Sequence, residues 1–300
     1  MKTTLWFIKY LGLALILAAG TAANAQTYER SRSLRKAFRA GPNVEVQIIN
    51  KYGDIHIVPW SKDSVVFEID LTVISNKQAR VDKIFDYIDF SFKSTAYYVI
   101  AQTVFKGQSN FWTEMTDIAG MIFSTGTTTR IDYTIYYPAI NDLKIDNKFG
   151  NIYTTEHPGK VDITLSNGDM KAHAFLGPAR LKLDFGIANV DQVTNANISL
   201  GYAELIIENA GELNLETRSS KININSSGKI HMNSRRDRYS IRESDEISGD
   251  LFFSYLTLDK ARSRINLKSN YGDIKVMGIS GQFQRMDFIS QYSDITLYID

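Results

Sequence analysis

No cysteine occurs anywhere in the 300 residues. That absence excludes disulfide staples, thiol catalysis, thiolate metal sites and lipidation at an N-terminal Cys. Nucleophile and phosphate-loop motifs are missing as well: there is no G-x-S-x-G, no G-x-x-x-x-G-K-[ST] and no H-E-x-x-H. Calcium-binding β-rolls repeat G-G-x-G-x-D-x-U-x, and that run is absent too. His56, His157, His173 and His231 are scattered. His157 and His173 lie nearly one repeat apart, close enough to meet on a stack, but a pair without a third ligand is not a zinc site. No metal and no cofactor are expected.

Long apolar runs are scarce. The longest, Leu11 to Ala19, follows Lys2 and Lys9 and precedes Ala23-Asn24-Ala25. This pattern predicts a secretory signal peptide over residues 1–25 and a mature chain starting near Gln26. The run is shorter than the roughly 20 residues a spanning helix needs. No transmembrane segment is expected in the mature chain, whose expected location is the periplasm, the outer envelope or the exterior. Excess charge is lacking too: without Lys2 and Lys9 the balance is about −1. Near-neutrality argues against nucleic acid or an anionic membrane as partner. The one early basic run, Arg30, Arg32, Arg35, Lys36 and Arg39, reads as a charged strand edge that discourages edge pairing.

What the chain does have is strand chemistry. Val44 to Ile49, Ile55 to Val58, Val65 to Val73, Phe90 to Phe92, Tyr97 to Phe105 and Thr128 to Tyr137 are rich in β-branched and aromatic residues. One helix is expected near 76–88, with Asn76 as N-cap and a face of Ala79, Lys83, Ile84, Tyr87 and Ile88. An apolar insertion spans 106–127. Its Phe111, Trp112, Met115, Ile118, Met121 and Phe123 are candidate partner contacts, or the lining of a lid over the stack.

From Leu143 onward a short tetrad recurs. It appears as Phe149-Gly150-Asn151-Ile152, Asn167-Gly168-Asp169-Met170, Phe185-Gly186-Ile187-Ala188, Tyr202-Ala203-Glu204-Leu205 and Ser219-Ser220-Lys221-Ile222. A blurred copy ending at Ile241 follows, then Tyr255-Leu256-Thr257-Leu258, Tyr271-Gly272-Asp273-Ile274 and Tyr292-Ser293-Asp294-Ile295. The fourth positions are 18, 18, 17, 17, 19, 17, 16 and 21 residues apart. A period of this size means stacked rungs, each covering the apolar face of the last. Alternation at Ile163/Leu165, Leu181/Leu183, Leu213/Leu215 and Ile222/Ile224 gives each strand one buried face. The tetrads read as rung corners. Gly53, Gly150, Gly168, Gly186 and Gly272 are expected to supply positive φ. Asp54, Asn151, Asp169, Asp273 and Asp294 are expected to bond their own local backbone. The preceding aromatics would stack from rung to rung.

Two stretches break the period: the 106–127 insertion, and the charged run Arg235-Arg236-Asp237-Arg238 with Arg242 to Glu246. The charged run reads as a surface turn bulging from one rung, or as a polar recognition patch. Glu243, Asp245 and Glu246 form the only dense acidic cluster among the rungs. They keep open the alternative of a polysaccharide lyase or hydrolase on a β-helix.

Val46 to Ile57 with its Asn50-Lys51-Tyr52-Gly53-Asp54-Ile55 turn, Trp60 to Val65, Lys148-Phe149-Gly150-Asn151-Ile152 and the later Gly-Asp turns carry a resemblance. Together with the export signal they resemble the bacterial putative-adhesin β-solenoid families, over about Val44 to Asp300. The resemblance implies an exported solenoid and brings no catalytic residues. The expectation is an all-β chain with about 17–18 residues per rung: a strand-rich region over 26–140, then a single β-solenoid over 141–300. Its expected role is a non-catalytic envelope or cell-surface scaffold, adhesin-like, whose partner is an envelope protein or a glycan. The general twist and crossover bias favour a right-handed coil. The final strand, Ile295 to Asp300, has no evident cap, which predicts self-pairing or a partner at that end.

Overall fold

The computed structural model of the chain describes residues 27–106 and 126–298. The expected signal peptide lies outside the described residues. So do Phe111, Trp112, Met115, Ile118, Met121 and Phe123. Among the described residues no helix is long and apolar enough to cross a membrane.

The fold is a β-solenoid of about nine turns. β2 (Glu45–Lys51) and β3 (Ile55–Trp60) flank the first tetrad; β8 (Leu143–Lys148) and β9 (Ile152–His157) flank the second. These rungs pair in parallel, Val46 with Leu143 and Ile55 with Ile152, so the Tyr52 turn belongs to the same stack as the later copies. β10 (Val161–Ser166) and the first half of β11 (Met170–Asp184) form the next rung. From there each strand runs corner to corner: β12 (Ile187–Gly201), β13 (Glu204–Arg218), β14 (Lys221–Arg235), β15 (Arg238–Phe252) and β16 (Tyr255–Asn270). Every rung therefore has one sharp corner at the tetrad. From β11 to β16 the strand also carries one soft bend, as where the β11–β12 register shifts between Phe175 and Pro178, whereas β9 and β10 are joined by a loop. β17 (Asp273–Val276), β18 (Arg285–Gln291) and β19 (Asp294–Leu297) complete the stack, with β17 and β18 likewise joined by a loop.

Alternation explains the stack's cohesion. In-register rows such as Ile163, Leu181, Ile198, Leu215 and Met232 point inward and are buried. Each such side chain contributes roughly 1.5–3 kcal/mol, so the rows replace the disulfides that this chain lacks.

The segment between β3 and β8 builds a cap on the opposite side of the first rung. β6 (Tyr98–Phe105) and β7 (Thr127–Pro138) pair in parallel with β2 and β3. β4 (Ser64–Ser75) adds antiparallel to β7, β1 (Tyr28–Arg39) to β4, and β5 (Ile88–Ser94) to β6. Helix α1 (Gln78–Tyr87) lies over them and buries Val81, Ile84 and Phe85. This corrects two expectations. The N-cap position is Lys77, with no side-chain cap bond, rather than Asn76. The buried face keeps Ile84 and Ile88 of the expected set but leaves Ala79 and Lys83 exposed, with Val81 and Phe85 buried in their stead; Arg30 and Arg32 lay their guanidinium groups over the Phe85 ring. β1 is an edge strand, and Arg30 pairs there with Asp82 and Asp86, Arg35 with Glu68.

Candidate binding face at the rung corners

The tetrads do form one column of corners, but by a different mechanism from the one expected. Positive φ falls on the first residue: +66° at Tyr52, +59° at Phe149, +58° at Phe185, +54° at Tyr202 and +56° at Tyr271. The following glycine is required by crowding instead. A Cβ on Gly150 would lie 1.9 Å from the Gly53 carbonyl oxygen, and one on Gly186 1.9 Å from that of Gly168. The acidic and amide side chains do not close their own turns either; they tie rung to rung. Asp54 Oδ1 accepts the Asn151 N–H at 2.8 Å, Asn151 Oδ1 the Asp169 N–H at 2.9 Å, and Asp169 Oδ1 the Ile187 N–H at 2.9 Å. Asp273 and Asp294 make no such bond among the described residues.

Farther along, buried side chains replace the glycines and take over this task. Asp237 Oδ1 accepts the Ser220 N–H at 2.7 Å, and Ser254 Oγ accepts the Asp237 N–H at 3.0 Å. Asp237 Oδ2 further accepts Thr217 Oγ1, Ser234 Oγ and the Arg235 N–H. The Tyr239 hydroxyl meets Thr217 Oγ1 at 2.6 Å. Burial raises its pKa, so it remains a protonated donor.

These bonds fix the register and correct the sequence reading. The corner after Ser219 is Arg236-Asp237-Arg238-Tyr239, and the next is Phe253-Ser254-Tyr255-Leu256, each with positive φ at its first residue. The blurred copy does not end at Ile241, and Tyr255 is not in the aromatic column; Phe253 is. The charged run is not a bulge but an ordinary rung whose corner carries arginines. Matching Tyr239 to the fourth position would have located it.

The aromatic column is exposed and stacked. Tyr52 and Phe149 lie 5.5 Å apart, Phe185 and Tyr202 5.3 Å, Phe253 and Tyr271 4.9 Å, and Tyr271 and Tyr292 5.0 Å, with interplanar angles of 13°, 4°, 13° and 9°. The rings remain 39% to 72% exposed at Phe149, Phe185, Tyr202, Phe253, Tyr271 and Tyr292. Between Tyr202 and Phe253 the column is interrupted for two rungs by Ser219 and Arg236. A hollow of about 660 Å³ opens there. A second, of about 680 Å³, lies across the corner and shares Tyr202 as a wall. Arg218 and Lys221 stand on one of these rungs, and Arg235, Arg236 and Arg238 on the next. Lys221 is paired with Glu204, and Arg218 reaches the Tyr202 hydroxyl at 3.0 Å. Arg236 and Arg238 form no ion pair among the described residues.

The other sequence candidates do not assemble into a site. His157 is buried: the Tyr137 hydroxyl donates to its Nδ1, and its Nε2–H points at the Lys160 carbonyl at 3.3 Å. Its rung neighbour is Phe175, while His173 stands exposed and bonds Asp191, so the two histidines do not meet. Asp245 pairs with Arg262 at 2.8 Å and Glu243 with the same arginine at 3.9 Å, which makes the acidic cluster a surface ion-pair network. No group of three metal-ligating side chains occurs among the described residues.

No protein-family model and no curated protein matches the chain. Solved structures similar to it include a putative adhesin from Parabacteroides distasonis ATCC 8503, at 12% identity and a TM-score of 0.43, covering 88% of this chain and 97% of that one. A putative lipid binding protein from the same organism matches at 11% and 0.39, over 89% and 96%. A putative adhesin from Bacteroides fragilis NCTC 9343 matches at 14% and 0.32, over 89% and 97%.

Proposed function

We propose that this chain is an exported, non-catalytic scaffold of the cell envelope or surface, an adhesin-like protein that binds a glycan or another envelope component through its corner column. The observation that carries this reading is the set of exposed rings stacked parallel to one another from rung to rung along a rigid core. Exposed aromatics on a fixed frame are the usual anchors of recognition surfaces, because they offer large contact area at low entropic cost. The export signal and the resemblance carried by the corner motifs support the same reading. In this reading a partner docks at the last described rung, where β19 pairs with β17 alone among the described residues and Ile289 and Tyr292 stand exposed. End-to-end pairing of two copies there would cover the edge of β19 that no described strand pairs.

A glycan array combined with product analysis tests the reading. The expected result is retention of one or more glycans with no new reducing ends or unsaturated products. Turnover would replace the scaffold with an enzyme. Light scattering across a concentration series tests the self-pairing, and a monomer at all concentrations would remove it.

A further inference from the structure

We propose that the two-rung gap in the aromatic column is a binding cleft for an acidic polysaccharide. This rests on the scaffold reading above and names its ligand class. Three observations converge on the gap. First, the rings that flank the gap are stacked on their far sides, Tyr202 on Phe185 and Phe253 on Tyr271; Phe253 turns its other face toward the gap, and the Arg218 guanidinium lies over the Tyr202 ring, 5.1 Å from its centroid, so a cation and aromatic faces line the same space. Successive rungs rise by about 4.8 Å, which sets these faces about 14 Å apart. That is too far to sandwich a single planar group and suits a short run of sugar rings, whose C–H faces pack on aromatic faces.

Second, the cations concentrate here. Arg235, Arg236 and Arg238 sit on one rung and Arg218 and Lys221 on its neighbour, in a chain whose overall charge is +1. Glu204 neutralises Lys221, and the Asp237 carboxylate is turned inward and already accepts four hydrogen bonds. Arg236 and Arg238 are left to bind carboxylates or sulfates, which match a guanidinium fork bidentately. Third, the frame is rigid. Asp237 fixes the arginine-bearing corner from inside through Ser220, Ser234 and Thr217. The guanidinium groups therefore start from a held backbone. The open hollow contains no enclosed apolar slot for an acyl chain, and near-neutral overall charge disfavours nucleic acid.

The test is isothermal titration of the mature chain with an oligogalacturonate and with its fully methyl-esterified, neutral form. The acid is expected to bind at least about tenfold more tightly than the ester. The double variant Arg236→Ala/Arg238→Ala should lose about tenfold or more in affinity for the acid, while Lys171→Ala, elsewhere on the surface, changes nothing. Ser219→Tyr gives an independent check. Tyr is accommodated at the same corner φ in other rungs, so the variant should fold, continue the column onto Tyr202 and block the cleft. Equal binding of acid and ester, or undiminished binding in both cleft variants, overturns the proposal. A stronger preference for a single-stranded oligonucleotide or for anionic phospholipid vesicles does the same. Neutral glycans bound away from the gap would sink this inference and leave the scaffold reading standing. Glycan turnover would sink the scaffold reading.

Discussion

Gly150 sits so close to Gly53 of the neighbouring rung that a Cβ on it would lie 1.9 Å from the Gly53 carbonyl oxygen. The same contact recurs between Gly168 and Gly150 at 2.1 Å and between Gly186 and Gly168 at 1.9 Å. These glycines are thus spacers that let rungs close to hydrogen-bonding distance. Gly150→Ala must push two rungs apart and strain the Asp54–Asn151 tie as well. The expected cost is about 3 kcal/mol, at the upper end of overpacking effects. Gly281→Ala, with nothing within 4 Å of its Cβ, should be close to neutral. Urea midpoints of the two variants decide it; equal midpoints would remove the spacer account.

Ile222 is fully buried between Leu205 and Tyr239 in the inward row. Ile222→Asp loses the burial of one large aliphatic group and places an unpaired carboxylate in the stack. A loss of about 4 kcal/mol or more is expected, with several rungs melting together because each covers the next. An unmoved thermal midpoint would contradict the inward assignment.

These two sites show how far the sequence could be read. The alternation that buries Ile222 is a local, period-two signal, and the rung period is carried by the recurring tetrads. The reason for Gly150 is not local. Nothing in Phe149-Gly150-Asn151 distinguishes a glycine needed for φ from one needed for the approach of a residue 97 positions earlier in the chain, Gly53. The Asp54-to-Asn151 bond is hidden for the same reason. The slip at Arg236 to Tyr239 has another cause. A rung whose corner is charged, and whose inward residue is Tyr rather than Ile or Leu, lacks both signals that marked the other corners. That rung carries the proposed cleft, so the site was visible as a break in pattern but not as a place on the stack. The cap was legible as strands and one helix. Its wrapping around the first rung was not, because β2 and β3 pair in part with strands that follow them by many residues.

His157 provides a pH test. Burial pushes its pKa down from 6.5 to about 4, against smaller opposing effects of the Lys160 carbonyl and Asp142. The neutral ring suits its surroundings, accepting from the Tyr137 hydroxyl at Nδ1 and donating to Lys160 from Nε2. In the unfolded chain the ring protonates near 6.5, while the folded state resists protonation until about 4. The stability it contributes is therefore complete above about pH 6.5 and is lost as pH falls toward 4, up to about 3 kcal/mol. His157→Gln should flatten this part of the profile relative to wild type. Urea midpoints measured between about pH 7 and pH 4.5 check it. Parallel profiles would show that the imidazole titrates alike in both states.

Asp237 links the stability of the stack to the proposed cleft. Its buried carboxylate accepts the Ser220 N–H at 2.7 Å, the Arg235 N–H at 2.8 Å, Thr217 Oγ1 at 2.6 Å and Ser234 Oγ at 2.7 Å. Asp237→Ala orphans all four donors in a dry corner, at an expected cost of about 3 kcal/mol or more. Asp237→Asn keeps one acceptor but turns an NH2 toward donors that need a lone pair, so it recovers only part of the loss. The same corner carries Arg236 and Arg238, and its backbone is set by these bonds. In conditions where Asp237→Asn remains folded, its affinity for oligogalacturonate should fall along with its urea midpoint, even though residue 237 faces away from the ligand. A variant that loses stability but binds as wild type would show that the arginines find their ligand without the buried carboxylate, and that the two roles of this corner are separate.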